Sequence, residues 1–248
     1  MVNKPASVQV LNAENGLSPI TRETVNDKVY AELRRLLIHG AFAPGEMLRI
    51  ADLAEKFQTS TMPVRDALSR LASEHAIEVL PNRSARVPAI TRDRLEDLWQ
   101  ARRLIEGQVT LIAMPHLTAD DFKILRTLTE DCERTFVNRS PASIRAAIEL
   151  NHAFHSHIYR AAGSRVLIPV IESLWLQSGA FVQKAAFLHD EKQDPAGTHH
   201  HWELINALEQ RDGDAAITAL NNDIARAFNL IRAQLDRDDQ QAGAPHGA

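Results

Sequence analysis

A single cysteine, Cys132, stands among 248 residues. One thiol cannot close an intrachain disulfide or build a cysteine zinc cluster, and the shortage fits a reducing cytoplasm. No apolar run reaches the length of a membrane span. The first residues lack the basic-then-apolar pattern of a secretion signal. A cytoplasmic protein with no membrane partner is expected. Excess positive charge is missing as well. The formal net charge is -4, so the whole chain is not a general polyanion binder. The sequence has no phosphate-cradling loop, no nucleophile motif and no paired general acid and base, which argues against an enzyme. It has no repeat of solenoid period either.

What is there suits two modest domains. Hydrophobic residues make up 44% of the chain, enough for two cores. The charge is uneven. Between 56 and 92, Lys56, Arg65, Arg70, Arg83, Arg86 and Arg92 outnumber Asp66, Glu74 and Glu78, whereas from 91 onward acidic side chains prevail. A basic segment ahead of an acidic body suits a DNA reader joined to something else.

The stretch from Leu48 to Leu71 holds two short amphipathic helices joined by the polar turn Gln58-Thr59-Ser60. Ile50, Leu53, Ala54 and Phe57 share one face of the first. Ser60 or Thr61 can cap the second through a hydroxyl, and Pro63 fits early positions that need no N–H donor. Val64, Ala67, Leu68 and Leu71 form its buried stripe. This is the shape of a helix-turn-helix, whose second helix can enter the DNA major groove. Arg65, one turn in, can reach guanine or a phosphate; Arg65 and Arg70 would also serve as ordinary solvated charges. The flanks favour DNA. A helix from Thr21 or Thr24 carries Val25, Val29, Leu33, Leu36 and Leu37 and stops at His39-Gly40. Pro44-Gly45 makes a turn. Beyond the second helix, residues 77–80 and 85–87 read as two short strands around Pro81-Asn82-Arg83-Ser84, a wing on which Arg83 and Arg86 could touch DNA. Residues 1–20 are polar and aperiodic, and disorder is expected there.

From Ile90 onward the strand signal disappears. Six helices are expected, opening at Thr91, Thr118, Ser140-Pro141, and near 165, 197 and 213. The expected fold is mainly α: a winged helix-turn-helix over 21–90, an antiparallel six-helix bundle over 91–237, and a frayed tail over 238–248. Asn151 and His155 lie four apart on one helical face. His199, His200 and His201 open the fifth helix, and Asp223 sits mid-way along the sixth. Such side chains can converge in a bundle, and imidazole with carboxylate suits zinc, nickel or manganese. His155 also reads as a hydrogen-bonded core residue.

Taken in order, these residues resemble the GntR family of bacterial transcription regulators. The carrying features are Gly40, Pro44-Gly45, Leu53-Ala54-Glu55, the run Ser60 to Leu68, Arg70-Leu71 and the wing. Asp66, Thr61 and Ser84 depart from the Glu, Arg and Gly usual in that family. The second half is similar to the all-helical FCD effector domain of the FadR subfamily, in its shorter, VanR-like branch. The features are Leu98 to Arg102, Glu106, Asn151 to His155, Ala162-Gly163-Ser164, His201, Ala207-Leu208 and Asp212 to Ala215. The resemblance implies a homodimer that reads a pseudo-palindromic operator through Arg49, Ser60, Thr61, Arg65, Arg70, Arg83 and Arg86. It implies a ligand-responsive regulator, a repressor of a catabolic operon, sensing a small organic acid. Arg102 would face that effector or pair with Glu106. Many FCD domains hold a metal with one Asp and three His. The matching positions here are Asn151, His155, His201 and Asp223, so one carboxylate is lost and another gained. The alternatives are a metal-free regulator sensing acyl-CoA or fatty acid, and a metal-dependent hydrolase.

Overall fold

A computed structural model describes residues 24–80, 84–136, 140–189 and 198–242. The expected tail at 1–20, the wing-turn residue Arg83 and residues 243–248 lie outside that set.

The first helix, α1 (Val25–Ile38), starts at Thr24, whose hydroxyl accepts from the Asp27 amide while Asp27 accepts from the Thr24 amide. That reciprocal pair satisfies two amides a helix start leaves open. It ends at His39, and Gly40 follows at φ 63°, a left-handed conformation that glycine adopts without a Cβ penalty. Val29, Leu33, Leu37 and Ile38 are its buried face, whereas Val25 is exposed. The two short helices expected around the polar turn are α2 (Ile50–Lys56) and α3 (Thr61–Ser73). Val64, Ala67, Leu68 and Leu71 are all buried, as their spacing demands. Ser60 is the residue before α3, but neither it nor Thr61 caps the helix through its side chain.

The wing has one strand more than expected. β1 (Met47–Leu48) joins β2 (Glu78–Val79) and β3 (Ala85–Arg86) in an antiparallel sheet of order β1-β3-β2. Met47 faces Arg86 and Leu48 faces Ala85. Leu48 and Val87 seal the sheet against the three helices.

The body is built of α4 (Arg92–Ala113), α5 (Ala119–Phe136), α6 (Pro141–Ala161), α7 (Leu167–Leu188), α8 (His199–Glu209) and α9 (Gly213–Ala242), with a 3-10 turn at 114–116. Thr91, Thr118 and Ser140 cap α4, α5 and α6 as expected. The last helix continues to Ala242, past the point where fraying was expected. Packing pairs α5 with α6, α8 with α9 and α4 with α9. Phe154, Ile158, Leu204, Leu208 and Phe228 fill the interior, each stabilising the fold by about 1.5–3 kcal/mol through removal from water. The N-terminal winged head is seated on this body: α1 packs against α7, and Arg34 pairs with Glu172 at 3.1 Å. Among the described residues, no helix is long and apolar enough to cross a membrane.

Candidate functional site: a recognition helix and a buried polar centre

On the head, Ser60, Thr61 and Arg65 come together at the exposed N-terminal end of α3, and Arg49 is exposed just ahead of α2. The buried stripe of α3 faces inward, so these side chains point outward by helical geometry. Arg70 is held differently. It lies five residues on from Arg65, about 140° around the helix. Its guanidinium sits 3.6 Å over the Tyr30 ring, with Glu74 beside it at 3.9 Å. Arg86 reaches across the wing to Glu78 at 2.6 Å. Both arginines thus carry contacts within the head that the sequence did not announce.

In the body, His155 on α6, His201 on α8 and Asp223 on α9 converge, their candidate ligand atoms all within 4.8 Å of one another. The His155 Nε2 lies 2.9 Å from one Asp223 oxygen, and the His201 Nε2 lies 3.7 Å from the other. Asn151, one turn before His155, places its amide 3.1 Å from the His201 Nε2. The four positions suggested by sequence therefore meet at one centre. Phe154 stacks on His201 at 3.9 Å and 9°, which fixes the plane of that ring. Burial pushes the His201 imidazole down to about 3, so it is neutral and keeps a lone pair. Burial alone would raise Asp223, but His201 and His155 beside it prevail and hold its carboxyl below the usual range.

A chain of buried polar groups backs this centre. Arg102 donates to Glu106 from Nε at 2.6 Å and from Nη2 at 3.3 Å. Tyr159 donates its hydroxyl to Glu106 at 2.6 Å, and its oxygen lies 3.4 Å from the His155 Nδ1. Burial opposes the charge of Arg102, but the Glu106 carboxylate outweighs it and raises the arginine. Burial, then Glu106, pushes the Tyr159 hydroxyl well above its ordinary value. The Arg102 guanidinium also lies 4.2 Å over the Trp175 ring. Arg102 thus touches the cavity wall while already bound to Glu106.

The centre opens on a cavity of about 100 Å³ between α6, α7 and α9. Trp175, Arg226 and His189 line it, and sequence reasoning passed over all three. Arg226 follows Asp223 by three residues, so a helical-face reading of α9 could have found it. Trp175 and His189 carry no such signal. Of the other histidines, His157 pairs with Asp121 at 2.8 Å, and His199 and His200 pair with Glu203 near the start of α8.

Comparison with known proteins gives the family. The profile "Bacterial regulatory proteins, gntR family" matches residues 25–87, and the FCD domain profile matches residues 97–226, more than half of the chain. The chain is 29% identical to the HTH-type transcriptional regulator McbR of Escherichia coli K12 over 214 residues, covering 85% of this chain and 94% of that protein. It is 25% identical to the HTH-type transcriptional repressor RspR of the same strain over 225 residues, covering 90% and 94%. The solved structure of E. coli McbR/YncC superposes with a TM-score of 0.78 at 24% identity, over 86% of this chain and 100% of the other. The relatives are transcription regulators rather than enzymes, which sets aside the hydrolase reading. The chain belongs to the GntR family: it is a DNA-binding transcription regulator whose helical body is an FCD effector domain.

Proposed function

We propose that this regulator is a homodimeric repressor of a catabolic operon. In this reading the winged head ends near residue 90. A small organic acid enters the cavity beside a divalent ion held by His155, His201 and Asp223. The observation that carries the metal is the meeting of His155 with Asp223. The His155 Nε2 faces an Asp223 oxygen at 2.9 Å, and the Tyr159 oxygen, whose proton goes to Glu106, stands 3.4 Å from the His155 Nδ1 as an acceptor. In the tautomer with its proton on Nδ1, His155 would present an Nε2 lone pair beside the carboxylate, the arrangement a metal ligand pair needs. His201, held neutral by burial, completes a nitrogen-and-oxygen donor set that suits zinc, nickel or manganese. Asn151, whose amide nitrogen lies 3.1 Å from the His201 Nε2, would join that set by turning its amide oxygen to the ion. A bound ion would supply positive charge for the effector's anionic group.

Metal analysis tests this directly. Purified protein is expected to carry about one divalent ion per chain, since ligand sets of this kind bind first-row metals tightly. His155→Ala and His201→Ala should each lose it. Metal-free wild-type protein that still binds an acid and responds to it would overturn the reading in favour of the metal-free regulator.

On the DNA side, Arg65 is proposed to read a base in each half-site, with Arg49, Ser60 and Thr61 holding phosphate. Arg70, Arg83 and Arg86 are assigned supporting contacts. Half-sites would be separated by about one helical turn, ~34 Å. Leu104 and Ile112, eight residues apart and both exposed on α4, support the dimer. The repressor role takes its support from the likeness to RspR. Arg65→Ala should weaken operator binding by about 1–3 kcal/mol and relax the preference at that base pair. Fluorescence anisotropy with operator and scrambled duplexes measures both. Unchanged affinity for the operator would remove Arg65 from the readout.

A further inference from the structure

Resting on the reading that α3 enters the DNA major groove, we infer that Met62 is a specificity-determining residue. Its side chain packs on the C5-methyl group of a thymine in each half-site. Met62 is 61% exposed on the first turn of α3. Of the other large apolar side chains exposed on the head, Val25 lies on α1, Met47 on β1 and Val79 on β2. Among the described residues Met62 alone stands on α3 in this way.

A single exposed methionine is ordinary on a protein surface. Its position distinguishes this one. Successive residues of an α-helix turn by about 100°. The buried stripe of Val64, Ala67, Leu68 and Leu71 is therefore centred about 170° around the helix from Met62. Met62 stands at the tip of the outermost ridge, followed by Asp66 and Ser69, all three exposed. Arg65 lies about 60° to one side of that ridge and Arg70 about 80° to the other. The cations flank a ridge that carries none. Such a ridge suits the groove floor, where base edges lie, because the phosphate walls would repel the Asp66 carboxylate. Asp66 is already turned to α1, accepting from the Asn26 amide at 2.8 Å. Met62 is the long side chain left to reach a base.

The groove floor offers one apolar group. Guanine, cytosine and adenine present only donors and acceptors there, whereas thymine adds a methyl. A thioether donates no hydrogen bond and accepts weakly, so Met62 gains little from a polar base edge. Against a methyl it removes apolar surface from water on both partners. Its unbranched chain can adapt to that contact. Met62 precedes Arg65 by three residues, and side chains so spaced start about 5–6 Å apart. Base pairs rise by about 3.4 Å, so the thymine lies about one or two base pairs from the pair that Arg65 reads.

Binding sites selected by the full-length protein from a random duplex library supply the probe. Each half-site should hold a thymine about one or two base pairs from the pair whose preference relaxes in Arg65→Ala. Deoxyuridine in place of that thymine removes the methyl and keeps every hydrogen-bonding group. Anisotropy titration should then show about fourfold weaker binding per half-site, equivalent to the roughly 0.8 kcal/mol of one buried methyl. Met62→Gln keeps the chain length and helix propensity but sets an amide against the methyl. This variant should bind the thymine and uracil duplexes alike, whereas Met62→Leu should retain most of the difference. A merely structural role for Met62 would not tell the two bases apart. A uracil penalty absent at every thymine of the half-site would overturn the assignment of Met62. So would a penalty that persists undiminished in Met62→Gln. In either case, a base pair still relaxed by Arg65→Ala would leave the reading of α3 standing. An unchanged selected sequence in both Met62→Gln and Arg65→Ala would instead sink the insertion of α3 itself.

Discussion

Glu106→Ala should cost the helical body about 3–5 kcal/mol, the loss typical when one partner of a buried ion pair is removed. Glu106 is 0% exposed and Arg102 3%, so water cannot replace the missing carboxylate. The variant strands two groups at once. Arg102 loses the acceptor for Nε and Nη2, and Tyr159 loses the acceptor for its hydroxyl. The Trp175 face already holds the guanidinium in the wild type, so it does not replace the lost carboxylate. Urea unfolding followed by circular dichroism measures the loss. Arg102→Met combined with Glu106→Leu is the informative control. It removes both charges at similar volume, and such replacements are often neutral or stabilising. The double variant should recover most of the stability lost in Glu106→Ala. A loss below about 1 kcal/mol in Glu106→Ala would mean that the pair is hydrated in solution. A second effect follows from Tyr159. Its oxygen orients His155, and loss of an outer partner of a metal-binding histidine typically costs 10–100-fold in affinity. Glu106→Gln keeps the volume and one acceptor, so it should fall between the two.

The contrast between Arg65 and Arg102 explains how much of this protein was legible in its sequence. Arg65 is placed by a pattern within one helix. Val64, Ala67, Leu68 and Leu71 bury one stripe, and every off-stripe residue must then face outward. Caps at Thr24, Thr91, Thr118 and Ser140 were readable for the same reason, because a cap is a contact over three residues. Arg102 could equally face a ligand or its neighbour four residues on. That choice depended on Tyr159 and Trp175, which come from α6 and α7. β1 escaped because two residues carry no period, and its partner strand lies far along the chain. His155, His201 and Asp223 were brought together by the resemblance to FCD domains, since helical spacing alone offered His199, His200 and Asn151 beside them without choosing. Much of the wall that accompanies them is ordinary alanine, isoleucine and valine, and only packing distinguishes those residues from core.

Gly179 illustrates that limit most sharply, and Gly179→Ala is expected to disable the joint between head and body. Alanine favours a helix over glycine by about 1 kcal/mol, so helix propensity alone predicts stabilisation. The surroundings reverse the sign. A Cβ at 179 would lie 1.8 Å from the Leu37 carbonyl oxygen and 3.0 Å from that of Ile38. These are backbone atoms at the end of α1, and no rotamer change can move them aside. The Leu37 oxygen also accepts from the Gly40 amide in the turn that closes α1. Gly40 in turn packs against Gln183 and the Gly179 carbonyl, so the contact has no slack on either side. The expected cost is about 3 kcal/mol, the upper part of the range for overpacking, offset by roughly the 1 kcal/mol of helix propensity. The strain falls on the docking of α1 on α7, across which one cluster of buried side chains runs from head to body. The same seam carries the Arg35–Glu149 pair at 3.2 Å and the contact of His39 with His152 at 3.4 Å. His152 meets the edge of Trp175, a wall residue of the cavity. A loosened seam should leave operator affinity close to wild type and reduce its response to effector. The starting point is the roughly 1–3 kcal/mol typical of coupled sites. Anisotropy titrations of operator with and without a panel of small organic acids, set beside thermal melts, separate the two effects. A variant that melts like the wild type and keeps its full response to ligand would show that the head and the body communicate by another route.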